Sequence, residues 1–124
     1  MDTRSLAEMV CRIASDFHRL GNVSVLDLLR SSGYLQDPAA LLECHLEDVL
    51  QSYPDLIDEW LKLSEDKRAS SGWCLLRPIR SQNAEWIVGY YPKGREQRCF
   101  SDRFKACAFF IKQEVEANRS YMLH

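Results

Sequence analysis

The chain has 124 residues, 46% of them hydrophobic and 27% charged, with only 5 glycines and 4 prolines. That is enough to bury one hydrophobic core, and it is the composition of neither a disordered nor a fibrous segment. The net charge of −2 hides an asymmetry: residues 1–70 hold 13 acids and 7 bases, residues 71–124 hold 5 acids and 9 bases, and from Gln36 to Asp66 nine acids stand against one base, Lys62.

The first helix is expected from a capping-box pattern, Ser5-x-x-Glu8, followed by Leu6, Val10, Ile13, Phe17 and Leu20 at helical spacing, with Gly21 ending it. A second, short helix is expected from Ser24 through Val25, Leu26, Leu28 and Leu29, stopping at Ser31-Ser32-Gly33. Asp37-Pro38 reads as a cap and a first-turn proline, opening a third helix that carries Leu41, Leu42, Leu46, Val49 and Leu50 as far as Pro54. A fourth uses Leu56, Ile57, Trp60 and Leu61 or Leu63 as its apolar side and frays over residues 64–68.

From Gly72 the residues favour strands. Trp73–Leu76 and Trp86–Tyr91 are separated by a turn around Ser81-Gln82-Asn83, and Pro92-Lys93-Gly94 turns the chain into a third strand near Gln97 to Phe100. Pro78 places the first strand at an edge or at its end. Ser101 or Asp102 then caps a last helix with a stripe of Phe104, Cys107, Ala108, Ile111 and Val115, widened by Phe109 and Phe110. The expected fold class is therefore α+β: N-terminal helices, a three-stranded antiparallel meander and a C-terminal helix packed on the sheet, all in a single domain, 1–124. Trp60, Trp86, Phe104 and Ile111 are the expected core anchors.

Little in the sequence points to catalysis. The histidines His18, His45 and His124 are far apart and lie in no recognised catalytic motif, and His18 and His45 read as structural or solvated groups. The cysteines Cys11, Cys44, Cys74, Cys99 and Cys107 are odd in number and unpaired in spacing, which fits reduced thiols and argues against a disulfide framework or a zinc site. No metal or other cofactor is expected, and the chain is not expected to be an enzyme. No apolar run approaches the roughly 20 residues of a membrane span, and Met1-Asp2-Thr3-Arg4 does not open a signal-peptide core. The expected location is the cytoplasm, with no membrane partner.

Two surfaces invite a partner. The acids Glu43, Glu47, Asp48, Asp55, Asp58 and Glu59 form either a solvated helical face or a docking surface, and the scarcity of balancing bases favours docking. Tyr34 and Tyr53 are the aromatic contacts expected beside them. The meander carries the opposite vocabulary, Arg77, Arg80, Lys93, Arg95 and Arg98 among Trp73, Trp86, Tyr90 and Tyr91, which supports a second reading as a small nucleic-acid-binding or regulatory module. A pI near 5.9 and a sheet with at most one free face weigh against nucleic acid.

The order Leu28-Leu29-x-x-Ser32-Gly33-Tyr34, Pro54-x-Leu56-Ile57-x-x-Trp60, Ser64-x-Asp66-Lys67-Arg68, Gly72-Trp73, Trp86-x-Val88-x-Tyr90 and Phe100-x-Asp102-x-x-x-Ala106-Cys107-x-Phe109-Phe110-Ile111 resembles the small immunity proteins of bacterial toxin–immunity systems, especially those of contact-dependent growth inhibition. The resemblance implies a cytoplasmic protein that binds one cognate toxin domain, often a nuclease, and occludes its active site or substrate surface. A nuclease is basic where it meets phosphate, and a concentrated negative surface complements it.

Overall fold

A computed structural model describes residues 2–66, 72–79, 85–91 and 97–122; the side chain of Tyr91 and the expected turns at 81–83 and 92–94 lie outside the described residues. Among these residues the order is α1 (Thr3–Cys11), α2 (Ile13–Leu20), α3 (Val25–Ser32), two 3-10 turns (Tyr34–Gln36 and Pro38–Ala40), α4 (Glu43–Ser52), α5 (Asp55–Asp66), β1 (Gly72–Leu76), β2 (Trp86–Tyr91), β3 (Arg98–Phe100) and α6 (Arg103–Met122). N-terminal helices, an antiparallel meander and a closing helix on the sheet make this the expected α+β architecture.

The expected first helix is two. Asp2, not Ser5, caps α1, accepting the Ser5 backbone N–H at 2.7 Å, and this bond holds the Asp2 carboxyl below its usual value. The helix then breaks at Arg12, where the Cys11 carbonyl accepts the Trp60 indole N–H at 2.8 Å. A tertiary donor thus binds the last carbonyl of α1. Leu20, past the point where the stripe can follow the core, is exposed. Gly21 and Gly33 end α2 and α3 with φ of 74° and 90°, a left-handed turn that side chains with a Cβ resist. Ser24 and Asp27 close a reciprocal capping box on α3.

The third expected helix starts late. Pro38 opens only one 3-10 turn, and α4 begins at Glu43 after extended backbone at Leu41 and Leu42. Side chains of consecutive extended residues point to opposite sides, so Leu41 is fully buried and Leu42 is 54% exposed. Had the helix begun at Pro38, Leu42 would lie one turn before Leu46 on the buried face.

Helix α5 buries Leu56, Ile57, Trp60, Leu61 and Leu63. Its Ser64 hydroxyl accepts the Leu75 N–H at 2.8 Å and donates to the Leu75 carbonyl at 3.3 Å. That one side chain pairs with both backbone groups of Leu75 in β1, whose other edge pairs with β2. The register Trp73↔Tyr90, Leu75↔Val88 and Trp86↔Phe100 puts these six side chains on one face of the sheet. There Phe109 of α6 meets Trp73 and Phe100 ring to ring, with centroids 6.2 and 5.5 Å apart. Asp102 caps α6 through the Phe104 N–H, and α6 packs on α4 as well as on the sheet. Trp60 and Ile111 are fully buried in the shared core, whereas Trp86 and Phe104 are only partly buried at its margin.

Candidate protein-binding surface

Helices α4 and α5 meet at Tyr53-Pro54. Tyr53 ends α4 through its N–H to the Val49 carbonyl, and its own carbonyl accepts the Leu56 N–H in the first turn of α5. The backbone on both sides is therefore fixed, and the ring projects 42% exposed. The Arg12 guanidinium, at the α1–α2 break, stacks on it 4.8 Å from the ring centre. Arg4 donates to the Ser52 hydroxyl, which in turn donates to the Asp48 carbonyl, so α1 braces the same corner.

The expected acids divide into two groups. Glu59 is committed internally: it pairs with His18 Nδ1 at 2.9 Å and Lys62 at 3.5 Å, and His18 Nε2 lies 3.5 Å from Asp66. Glu47 pairs with Lys105 at 3.2 Å and ties α4 to α6. Asp48 and Asp55 are exposed and have no ion-pair partner among the described residues, and exposed Asp58 has only Arg77 at 3.6 Å. Asp48, Tyr53, Asp55 and Asp58 thus share the α4–α5 corner, with Glu43 half-buried at the far end of α4.

Tyr34 does not belong to this surface, which corrects the expectation that it contacts a partner. It is fully buried; its hydroxyl donates to Glu116 and accepts from Lys112 Nζ at 2.9 Å. Burial and the Glu116 carboxylate push the phenol well above its usual value. Lys112 also donates to the carbonyls of Pro38 and Leu41, and Arg119 forms two bonds to Glu116 at 2.9 and 3.0 Å. The cluster fastens residues 34–42 to α6. It also borders a cleft of about 600 Å³ between the Pro38–Glu43 segment and Lys112, Glu116 and Arg119.

The meander offers less to a nucleic acid than its composition suggests. Trp73, Trp86 and Tyr90 turn toward α6, and Arg98 stacks on Phe109 and Phe100 at 4.5 and 5.2 Å. Arg80, Lys93 and Arg95 lie outside the described residues. Cys11, Cys74 and Cys107 are buried and Cys44 and Cys99 exposed; burial pushes the Cys11 thiol up to about 12. Among the described residues no three His, Cys, Asp or Glu side chains converge to hold a metal ion, and no helix is long and apolar enough to cross a membrane.

Arg12 is the residue of this surface that the sequence conceals. Arg12 gains its role from a helix break imposed by Trp60, a contact 49 residues away along the chain. No family model, curated protein or solved structure matches the chain.

Proposed function

We propose that this chain is a non-catalytic binding protein that neutralises a basic toxin domain in the cytoplasm, in the manner of an immunity protein, by covering that domain's active site or substrate surface. The observation that carries the reading is the α4–α5 corner: an exposed Tyr53 held by Arg12 beside the carboxylates of Asp48, Asp55 and Asp58. An amphipathic ring fixed before association loses little freedom on binding, and flanking charge of one sign selects a partner of the other. The turning of Trp73, Trp86 and Tyr90 toward α6 favours this reading over the nucleic-acid one.

Purified chain is to be mixed with the toxin C-terminal domains encoded by the same strain, with binding and residual toxin activity both measured. One domain should bind one-to-one and lose its activity, and Tyr53→Ala should weaken that complex at least tenfold, as truncation of an aromatic anchor does. Binding to none of them, or full toxin activity in a saturated complex, overturns the reading.

A further inference from the structure

Residues 37–45 carry the signals of two structures at once. Asp37 and Pro38 are a cap residue and a first-turn proline, and Ala39, Ala40, Leu41 and Leu42 contain no helix breaker, so a helix from Pro38 could run unbroken into α4. The chain instead makes one 3-10 turn at Pro38–Ala40 and extended backbone at Leu41 and Leu42. Helix α4 then starts behind a leucine, at a cap position that favours Ser, Thr, Asp or Asn. A segment where local preference and tertiary structure disagree is where a functional demand is to be sought.

Two side chains occupy the backbone groups that the longer helix would join. In that helix the Leu42 N–H would donate to the Pro38 carbonyl, and the His45 N–H to the Leu41 carbonyl. As folded, the Leu42 N–H donates to His45 Nδ1 at 3.0 Å, and Lys112 Nζ donates to the Pro38 and Leu41 carbonyls at 3.1 and 2.8 Å. Enclosing that ammonium carries a cost: burial lowers the Lys112 pKa from its usual value, against the pull of Glu116.

The core can be filled in either arrangement. Leu41 is fully buried and Leu42 is 54% exposed. A helix from Pro38 would set Leu42 one turn before the buried Leu46 and turn Leu41 outward, so one leucine would replace the other without a change of volume. An otherwise unexplained leucine at the surface is then the core residue of the second arrangement. Converting two extended residues to helix shortens the chain by about 4 Å, a length that the half-buried Leu35 and the exposed Gln36 and Asp37 are free to supply.

We propose that residues 38–42 are a two-state element: a strap latched by Lys112 and His45 in the observed fold, and an N-terminal extension of α4 once the latch is released or Leu41 no longer fills the core. The exchange moves Leu42 inward and Leu41 outward. It also reshapes one wall of the cleft between Pro38–Glu43 and α6. Any ligand or modification that draws the Lys112 ammonium away shifts the population toward the helix by its preference for that state.

Backbone NMR and amide hydrogen exchange on the full chain test this with two variants. Lys112→Met keeps the apolar stem and removes the donors; Leu41→Gln keeps the latch and removes the leucine that fills the core in the strap. In each, the carbon shifts of residues 39–42 should become helical, where the parent's are not. The Glu43 and Cys44 amides, first-turn donors in α4 as it stands, should gain the Ala39 and Ala40 carbonyls and exchange at least about tenfold more slowly. Helical shifts with slowed exchange in either variant establish the second state. If neither variant is helical at 39–42, whether the strap persists, the segment becomes disordered or the chain fails to fold, the two-state element is overturned.

Discussion

Trp60 connects three helices with one side chain. Its indole N–H holds the Cys11 carbonyl where α1 gives way to α2, and its ring meets Phe110 of α6 edge-on, with centroids 6.0 Å apart. Two variants separate these contributions. Trp60→Ala removes the whole ring and should cost about 3–5 kcal/mol, while Trp60→Phe keeps much of the packing but leaves a buried carbonyl without its donor, at about 1–3 kcal/mol. Equal urea midpoints for the parent and Trp60→Phe would show that the carbonyl is satisfied in some other way. Ser64 makes a similar case on a smaller scale: Ser64→Ala strands both backbone groups of Leu75 at the β1 edge and should also cost about 1–3 kcal/mol, read in the same denaturant titration.

At the scale of elements, the legible helices were those whose stop signals act locally. Gly21, Gly33 and Ser24 specify their neighbours' backbone without help from the rest of the chain, and those boundaries appear in the structure where the residues place them. The boundaries that moved are set by distant partners: the Arg12 break by Trp60, and the late start of α4 by Lys112, which binds carbonyls that a helix from Pro38 would have used itself. Periodicity cannot reveal such a donor, because it lies 71 to 74 residues away. The acidic surface was legible as charge but not as a site, since Glu47 and Glu59 have the same residue type as free carboxylates and differ only in having Lys105 and His18 opposite them. The segment 34–42 also has a pH signature. Arg119 is the main cause holding the Glu116 carboxyl below its usual 4.5; partial burial opposes this and the Tyr34 hydroxyl adds to it. A carboxyl lowered in the folded state contributes stability that is present above its unfolded value and lost as pH falls through the folded one. Stability measured from pH 6 downward should therefore decline below about 4.5, and Glu116→Gln should remove part of that decline while lowering stability at pH 6. A variant with the parent's full acid sensitivity would exclude Glu116 as a contributor.

Across the whole molecule the charge is dipolar in sequence, and three acids flank the turn between α4 and α5. Asp48, Asp55 and Asp58 are exposed there, and the folded chain spends little on them: exposed ion pairs such as Asp58–Arg77 are worth about 0–1 kcal/mol. Replacing all three by Lys should accordingly leave the fold intact while moving the net charge from −2 to +4. Glu59 has to stay out of this set, because its reversal would face His18 with a cation across the α2–α5 contact. On the binding reading, opposite fields draw the partners together before contact, so the parent's association rate should approach about 10⁸ M⁻¹s⁻¹ at low salt and fall steeply once the screening length drops below about 10 Å. The triple variant should associate at least about tenfold more slowly at low salt and show a flat or inverted salt dependence. Its dissociation rate should change far less, since Tyr53 and Arg12 remain in place. Stopped-flow mixing with the toxin domain at several ionic strengths measures both rates. If the variant keeps the parent's association rate and salt slope, the acidic corner plays no part in recognition, and Arg77 and Arg98 become the charged groups to reverse next.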